Sequence, residues 1–563
     1  MRFAPRPCLR GLQRPAAAVS AALLRKPATG GLAVRPAAAR LYLERYSSSS
    51  SSPSPAPQDS ARQDTPAAPS APQPPQVPQA SIDIKHIRQN VELYSENCVR
   101  RNYGAMAGYP ARILAIHQEL QAQMKENRSL RESANRARKT MAAAKETAAA
   151  AAAGASDAAS HDELLEEARS VKQKLAAAKA TETALQEEMQ RLALALPSLT
   201  SDTTPDGEDF AVLSYINCDG VADAGSENAG KPVDGSGPAL SGSIVLRTTP
   251  EQWRSHVDVG SELGLLEFPA AAAASGWGWY YLLGDGARLE QALVQYALTV
   301  AHRHGWKTVS PPSIVRSGIA AACGYQPRDQ GGEQQTYAIE GMPLSLTATA
   351  EIPLAALYAD TTIDVSPENP IRRAAVSRCY RAEAGSRGAS TKGLYRVHEF
   401  TKVEMFAWTS PDLDDATDVY DELVDVQTEI LSSLGLLCRV LEMPATDLGA
   451  SAFRKIDIEA FFPSRCRAAK DSGSNGAFDY ESGWGEVTSA SICTDYQTRR
   501  LATRMRNGTS AFPWTLNGTA LAVPRIIAAI LENGWDEATK TVAIPECLWP
   551  WMDGQEKLGK PQQ

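Results

Sequence analysis

The stretch SRCYRAEAGSRGASTKGLYRVHEFTKVEMFAW, residues 377–408, sets charged side chains inside apolar, β-branched sequence. It reads as a strand, a long loop of Gly, Ser, Lys and Arg, and a second strand. Residues two apart share a face of a strand. Arg381 therefore lies beside Glu383, and Arg396, His398, Phe400, Lys402 and Glu404 lie along one face of the second strand. Such a face offers cations for phosphate, a ring for a base and a carboxylate for an amine or hydroxyl. Burying those charges is costly unless a ligand pairs them. A solvated strand face laced with salt bridges is the plainer alternative, but it does not account for Arg, Phe and Glu together beside a basic loop.

Three further blocks share this character. In LSLTATAEIPL (344–354), Thr349 and Glu351 follow an apolar run, and Glu351 opens a helix-like segment. Taken alone, Glu351 is a helix-start carboxylate favoured by the helix dipole. In GWGEVTSASICTDYQTRR (483–500), Glu486 and Ser489 are oxygen donors suited to Mg²⁺, which keeps several waters and bridges phosphates. In TLNGTALAVPRIIAAILEN (515–533), Asn517–Gly518 is a turn signal. Arg525 there starts an amphipathic helix, where a guanidinium can meet phosphate beside free backbone N–H groups.

Around these blocks, β-rich runs such as GSIVLRT (242–248) and AAVSRCYRAE (374–383) alternate with helix candidates at 287–305, 413–435 and 522–533. Strands that mostly follow one another, with helices between, predict an α+β domain over 201–555 built on an antiparallel sheet. Two Gly/Ser/Asp-rich segments, 218–242 and 465–483, read as surface loops, and 556–563 as a polar tail. Before this domain, Ile113, Ile116, Leu120 and Met124 recur at helical spacing after Tyr109. Leu164, Ala168, Val171, Leu175, Ala178, Leu185, Met189 and Leu192 form a heptad seam broken at Glu182. Neither helix can bury its stripe alone. The pair predicts an antiparallel coiled-coil arm within 81–200, roughly 50–65 Å long. Residues 47–80 are Ser, Pro, Ala and Gln and read as a disordered linker. Residues 1–46 begin with an acid-free, Arg- and Ala-rich run, the composition of a mitochondrial transit peptide, which predicts the mitochondrial matrix.

The chain has 563 residues, 43% hydrophobic and 22% charged, and a formal net charge of −8. That charge excludes a protein that holds nucleic acid by bulk positive charge, so any RNA contact must be local. Nine dispersed cysteines, none in a CxxC pair, exclude a disulfide framework and a cysteine zinc site. No apolar run reaches the roughly 18 residues that span a bilayer.

Taken together, TAE, YRAEAGS…GLYRVHEFTKVE, EVTSASICTDYQTRR and LNGTALAVPR resemble the class II aminoacyl-tRNA synthetases, specifically the seryl-tRNA synthetases. The strings look like that family's serine-binding segment, motif 2, ATP-binding segment and motif 3. HGWKTVSPPSIV, with Pro311 and Pro312, looks like the dimer-forming motif 1. The resemblance covers about residues 81–550, arm included. It implies a homodimer that takes ATP, Mg²⁺, L-serine and tRNA-Ser, with no membrane partner.

By position, the resemblance assigns serine to Thr349, Ala350, Glu351, Arg381, Glu404 and Thr519, the last standing where the family usually has Ser. Arg381 takes the α-phosphate, Glu383 the adenine edge, and Phe400 lies under the adenine ring. Ala382, Arg396, Val397, His398, Glu399, Val487 and Thr488 line the nucleotide. Glu486 and Ser489 hold Mg²⁺, and Arg525 clamps the distal phosphates. Arg381, Arg525 and Glu486 then carry catalysis by positioning and charge stabilisation, without a protein nucleophile. In the arm, Arg128, Arg131, Arg136, Arg138 and Lys139 would grip tRNA by its backbone and shape, although charged coiled-coil positions are often only solvated. Ile492 departs from the family's common Asn. Two rivals are a catalytically inactive RNA-binding or scaffold relative, marked by loss of Arg381, Arg525 or Glu486, and a ligase that charges a carrier protein, marked by a missing arm and a zinc-bound amino-acid site. The chain retains all three residues and the arm.

Overall fold

The computed structural model describes residues 78–150, 158–218, 253–325, 335–383, 393–468, 478–506 and 511–559. The expected transit segment, nearly all of the expected linker, the expected strand at 242–248 and the motif 2-like loop lie outside them.

The lead-in forms two short helices, α1 (Ile84–Gln89) and α2 (Val91–Arg100). The Asp83 carboxylate caps α1 by accepting the His86 N–H at 2.9 Å. The arm follows as α3 (Tyr109–Ala150) and α4 (Ala158–Ala195). They run antiparallel, with Arg112 of α3 paired to Glu188 of α4 and Asn127 to Glu182. Ile113, Ile116 and Leu120 pack with Leu192, Leu185 and Met189, as the periodicity predicts. Met124 corrects that stripe: it is 56% exposed, and Asn127 takes the buried position instead. Its amide donates to Glu182 at 2.7 Å. The break in the heptad seam is thus answered by a polar partner, a device that sets register at some cost in stability.

The rest of the described chain consists of β1 (Ala211–Ile216), α5 (His256–Glu262), α6 (Asp285–Arg303), β2 (Lys307–Val309), α7 (Glu351–Ala355), β3 (Ile371–Tyr380), β4 (Glu399–Thr409), α8 (Leu413–Ser433), β5 (Cys438–Glu442), β6 (Arg454–Phe461), β7 (Trp484–Thr494), α9 (Tyr496–Leu501), β8 (Trp514–Ala522) and α10 (Val523–Asn533), with shorter pieces between. One sheet has the order β1-β5-β6-β7-β8-β4-β3-β2. Its pairs are antiparallel, as expected, except that the edge strand β2, from the motif 1-like segment, pairs parallel to β3. Along β4, Val403, Met405 and Ala407 enter the core under α6, α8 and α10, while Phe406 and Trp408 enter the core against α7 and α9. Strand alternation therefore leaves Phe400, Lys402 and Glu404 on the second side.

Two buried arginines join the arm's root to this body. Arg101, fully buried, donates to the carbonyls of Ser198 and Gly449. Arg500 of α9 donates to Leu194 and Leu196 at the end of the arm, at 3.1 and 3.3 Å.

Three sequence expectations are corrected. Residues 556–563 are not simply a tail: Lys557 and Leu558 form a strand against Val542 and Ala543, and Leu558 is fully buried. Asn517–Gly518 does not turn but runs inside β8, because α8 crosses there too closely for a side chain. A Cβ on Gly518 would lie 2.3 Å from Leu423. The expected loop at 465–483 includes a ribbon, Arg467–Ala468 paired with Phe478–Asp479.

Candidate active site

An open cleft of about 680 Å³ lies on the second side of the sheet, floored by β4, β7 and β8. It brings Arg381, Glu383, Arg396, Val397, Phe400, Glu404, Glu486, Val487, Thr488, Ser489, Thr519 and Arg525 into one lining, together with Glu351. Four separate stretches of sequence thus meet in one place.

Glu351, the first residue of α7, is buried at 3% exposure. Its oxygens accept the Tyr325 hydroxyl at 2.8 Å and the Gln497 amide at 2.7 Å. Burial, and then the neighbouring Glu404, push its carboxyl up to about 7; Tyr325, Lys402 and Gln497 oppose the rise. Glu404, 1% exposed, is held by the Lys402 ammonium and accepts the Thr519 hydroxyl at 3.4 Å from the facing strand. These two acids with one buried lysine form a cation-seeking pocket with a hydroxyl donor beside it. Thr349 and Ala350 do not line the cleft. They are fully buried behind Glu351, where the Thr349 hydroxyl accepts the Glu351 N–H at 3.2 Å and sets the start of α7.

The groups expected to meet phosphate gather on β7, α10 and the two limbs of the motif 2-like loop. Glu486 and Ser489 are three apart and would face opposite ways on a regular strand. A bulge at Val487 corrects this: Glu486 pairs with Glu459 and Ser489 with Asp457, and those partners are two apart on β6. Both side chains therefore face the cleft. The buried Gln427 amide of α8 supports the irregular backbone, donating to the carbonyls of Ser489 and Thr519 at 2.9 Å each. Burial pushes the Glu486 carboxyl up, but Arg525, Lys455 and Arg381 outweigh it and bring the group down to about 2. Glu486 is 41% exposed, so its carboxylate faces the water of the cleft rather than a sealed interior.

Arg525 binds the Glu486 carboxylate at 3.2 Å and its carbonyl at 2.8 Å, and lies over the Tyr395 ring at 4.6 Å. The Arg381 guanidinium lies 5.3 Å from the Phe400 ring. Glu383 takes a left-handed φ of 49° and pairs with Arg396 at 3.3 Å, joining the outgoing limb of the loop to the returning one.

His398 and Glu399 are not brought into the lining, nor is Ala382. β4 begins only at Glu399, so the shared face read from Arg396 to Glu404 holds from Phe400 onward. His398 stacks on Trp279, and its Nδ1 lies 2.8 Å from the Tyr337 hydroxyl. Glu399 points to the other face, where it accepts the Tyr380 hydroxyl. Ala382 donates its backbone N–H to the Gln335 carbonyl. Ile492 is fully buried in the sheet core, away from the cleft. Tyr325, Gln497 and Tyr395 were not singled out from sequence, and Asn517 was read only as half of a turn. Only Lys402 carried a signal, its place two residues before Glu404.

Among the described residues no three His, Cys, Asp or Glu side chains gather as a metal cage. An anionic Glu486 with Ser489 on the same face fits an ion that takes most of its ligands from phosphate and water. All eight described cysteines are free, and no described helix is long and apolar enough to cross a membrane. The arm residues Arg128, Arg131, Arg136, Arg138 and Lys139 are all exposed, with Arg128 paired to Glu132 at 3.3 Å.

Comparison with known proteins adds the family. Residues 338–534 match the tRNA synthetase class II core domain (G, H, P, S and T), and residues 82–200 match the seryl-tRNA synthetase N-terminal domain. The chain is 37% identical to the mitochondrial serine–tRNA ligase of Schizosaccharomyces pombe over 483 residues, covering 84% of this chain and 88% of that one. Against the mitochondrial serine–tRNA ligase of Saccharomyces cerevisiae, identity is 47% over 309 residues, 54% of this chain and 65% of the relative. Against the serine–tRNA ligase of Rhodopirellula baltica it is 35% over 475 residues, covering 84% of this chain and 98% of that one. The crystal structure of seryl-tRNA synthetase from Pyrococcus horikoshii complexed with ATP superposes with a TM-score of 0.67 at 28% identity, covering 86% of this chain and all of that one. With both domains matched and relatives of 35–37% identity covered over most of their length, the chain belongs to the seryl-tRNA synthetase family of class II aminoacyl-tRNA synthetases.

Proposed function

We propose that the chain is a serine–tRNA ligase of the mitochondrial matrix, which activates L-serine with ATP and transfers it to tRNA-Ser. The observation that carries the reading is the cleft, where two buried acids and a hydroxyl sit in one lining with two arginines and an ionised glutamate. Glu351 and Glu404 receive the serine ammonium and hydroxyl, and Thr519 holds Glu404 in place. A site built to hydrogen-bond a hydroxyl rejects an analogue without it by roughly 10⁴-fold.

The serine carboxylate attacks the α-phosphorus and pyrophosphate leaves. A ribose hydroxyl of the tRNA end then attacks the seryl carbonyl and AMP leaves. Arg381 neutralises charge at the α-phosphate, and a base stacked on Phe400 meets Arg381 as well. Arg525, now held by Glu486, turns to the distal phosphates. Mg²⁺, held by Glu486 and Ser489, supplies charge neutralisation on the phosphates when bound. The exposed basic residues of α3 contact the tRNA backbone. A homodimer forms through the motif 1-like segment, a reading supported by the exposed Ile314 in the strand Ile314–Arg316.

The test is ATP–pyrophosphate exchange by protein lacking residues 1–46, across all twenty amino acids. Serine alone should drive exchange, and exchange driven by another amino acid overturns the substrate assignment. A monomeric elution volume on sizing would remove the dimer.

A further inference from the structure

Outside the cleft, a buried hydrogen-bond chain joins two of its walls. Glu532 lies two turns beyond Arg525 on α10, with its side chain 1% exposed. It accepts four hydrogen bonds: from His256 N at 3.2 Å, His256 Nδ1 at 2.7 Å, Ser464 N at 3.1 Å and Ser464 Oγ at 2.8 Å. A carboxylate surrounded by donors keeps the imidazole proton on Nδ1. The bare Nε2 is then an acceptor, and the backbone N–H of Leu394 donates to it at 3.0 Å.

Leu394 and Tyr395 line the cleft on the returning limb of the motif 2 loop. The Tyr395 carbonyl accepts from Arg525 Nε at 3.3 Å. The bonds therefore close a ring, from Arg525 through Tyr395, Leu394, His256 and Glu532 back along α10. Gly393 leaves room for it: its φ is +70°, and a Cβ there would sit 2.1 Å from His256 Nε2.

We propose that His256 is a positioning residue for the nucleotide. Locked by Glu532 in the Nδ1–H form, it fixes the backbone at Leu394 and so sets Tyr395 against Arg525. This rests on the reading of the cleft as the ATP site. Serine lies against Glu351 and Glu404, which the ring does not touch, so the effect is selective for ATP.

The experiment is ATP–pyrophosphate exchange by the full chain, with the KM for each substrate measured separately. His256→Asn can keep a bond to Glu532 but cannot reach Leu394. It should raise the KM for ATP about tenfold, the equivalent of one lost buried hydrogen bond, and leave the KM for serine within about twofold. His256→Gln, whose longer amide restores an acceptor, should recover most of the loss. Glu532→Gln places a donor among donors and reverses the tautomer, and should reproduce the ATP-selective defect. If either variant fails to fold, Gly393→Ala drives a methyl group into Nε2 from the loop side and should give the same selective rise. A rise in both KM values together, or a lowered melting temperature with an unchanged KM for ATP, overturns the proposal. Arg525→Ala serves as the reference: an unchanged KM for ATP there would remove the nucleotide reading itself, and the proposal with it.

Discussion

Serine binding should weaken in mild acid because of one carboxyl. Glu351 is pushed up to about 7, first by burial and then by Glu404. Only its ionised form attracts the serine ammonium. With that midpoint, about 90% of free enzyme carries the anion at about pH 8 and about 10% at about pH 6. The KM for serine in ATP–pyrophosphate exchange should therefore rise about tenfold between those pH values. Serine's own amine stays protonated throughout, so the change belongs to the enzyme. The KM for ATP should move far less, since burial of Glu486 is outweighed by Arg525, Lys455 and Arg381 and its carboxyl stays near 2. Glu351→Gln should give a high serine KM with no slope across this range. The linked stability follows the raised direction. The folded state holds this proton more tightly than the unfolded chain, so Glu351's contribution is present below the ordinary value of 4.5 and is lost as pH rises through about 7. A serine KM that stays flat from about pH 8 to about pH 6, or an equal slope in Glu351→Gln, would refute the reasoning.

Lys402→Met removes the partner of a glutamate that is 1% exposed, and should cost about 3–5 kcal/mol in denaturant unfolding along with most serine-dependent exchange. Gln427→Leu leaves the carbonyls of Ser489 and Thr519 without their shared donor. It should cost about 2 kcal/mol and lower kcat more than it raises the KM for serine, because the bulge that aims Glu486 and Ser489 is loosened. Charge reversal at Arg136 and Arg138 should raise the KM for tRNA in aminoacylation and leave ATP–pyrophosphate exchange unchanged; unaltered tRNA binding would return those residues to a solvated face.

The arm and the sheet were legible locally. A heptad seam with nowhere to hide forces two helices together, and strand runs broken by helices imply an antiparallel sheet without fixing the order of its strands. The residue types of the site were legible for a related reason: Arg381, Glu404 and Glu486 sit in sequence too apolar to leave charges unexplained. Which way the side chains face was not. Period two carries Phe400, Lys402 and Glu404 correctly along β4 but fails at His398, which precedes the strand and stacks on Trp279. It fails again on β7, where an extra residue at Val487 returns Ser489 to the face of Glu486. Asn517–Gly518 carries a turn composition, yet α8 needs the missing Cβ more than a turn needs the glycine.

The chain by itself therefore determined most of its elements, the pairing of the two arm helices and the residue types of the site, because periodicity and residue type are written in neighbouring positions. Only the tertiary structure decided that Tyr325 and Gln497 close on Glu351, that Lys402 neutralises Glu404, and that His256 reaches Leu394. Those contacts join residues 26 to 146 positions apart, except for Lys402 and Glu404, whose shared burial no local pattern records. Proton affinity and charge pairing depend on what lies across the fold, not along the chain.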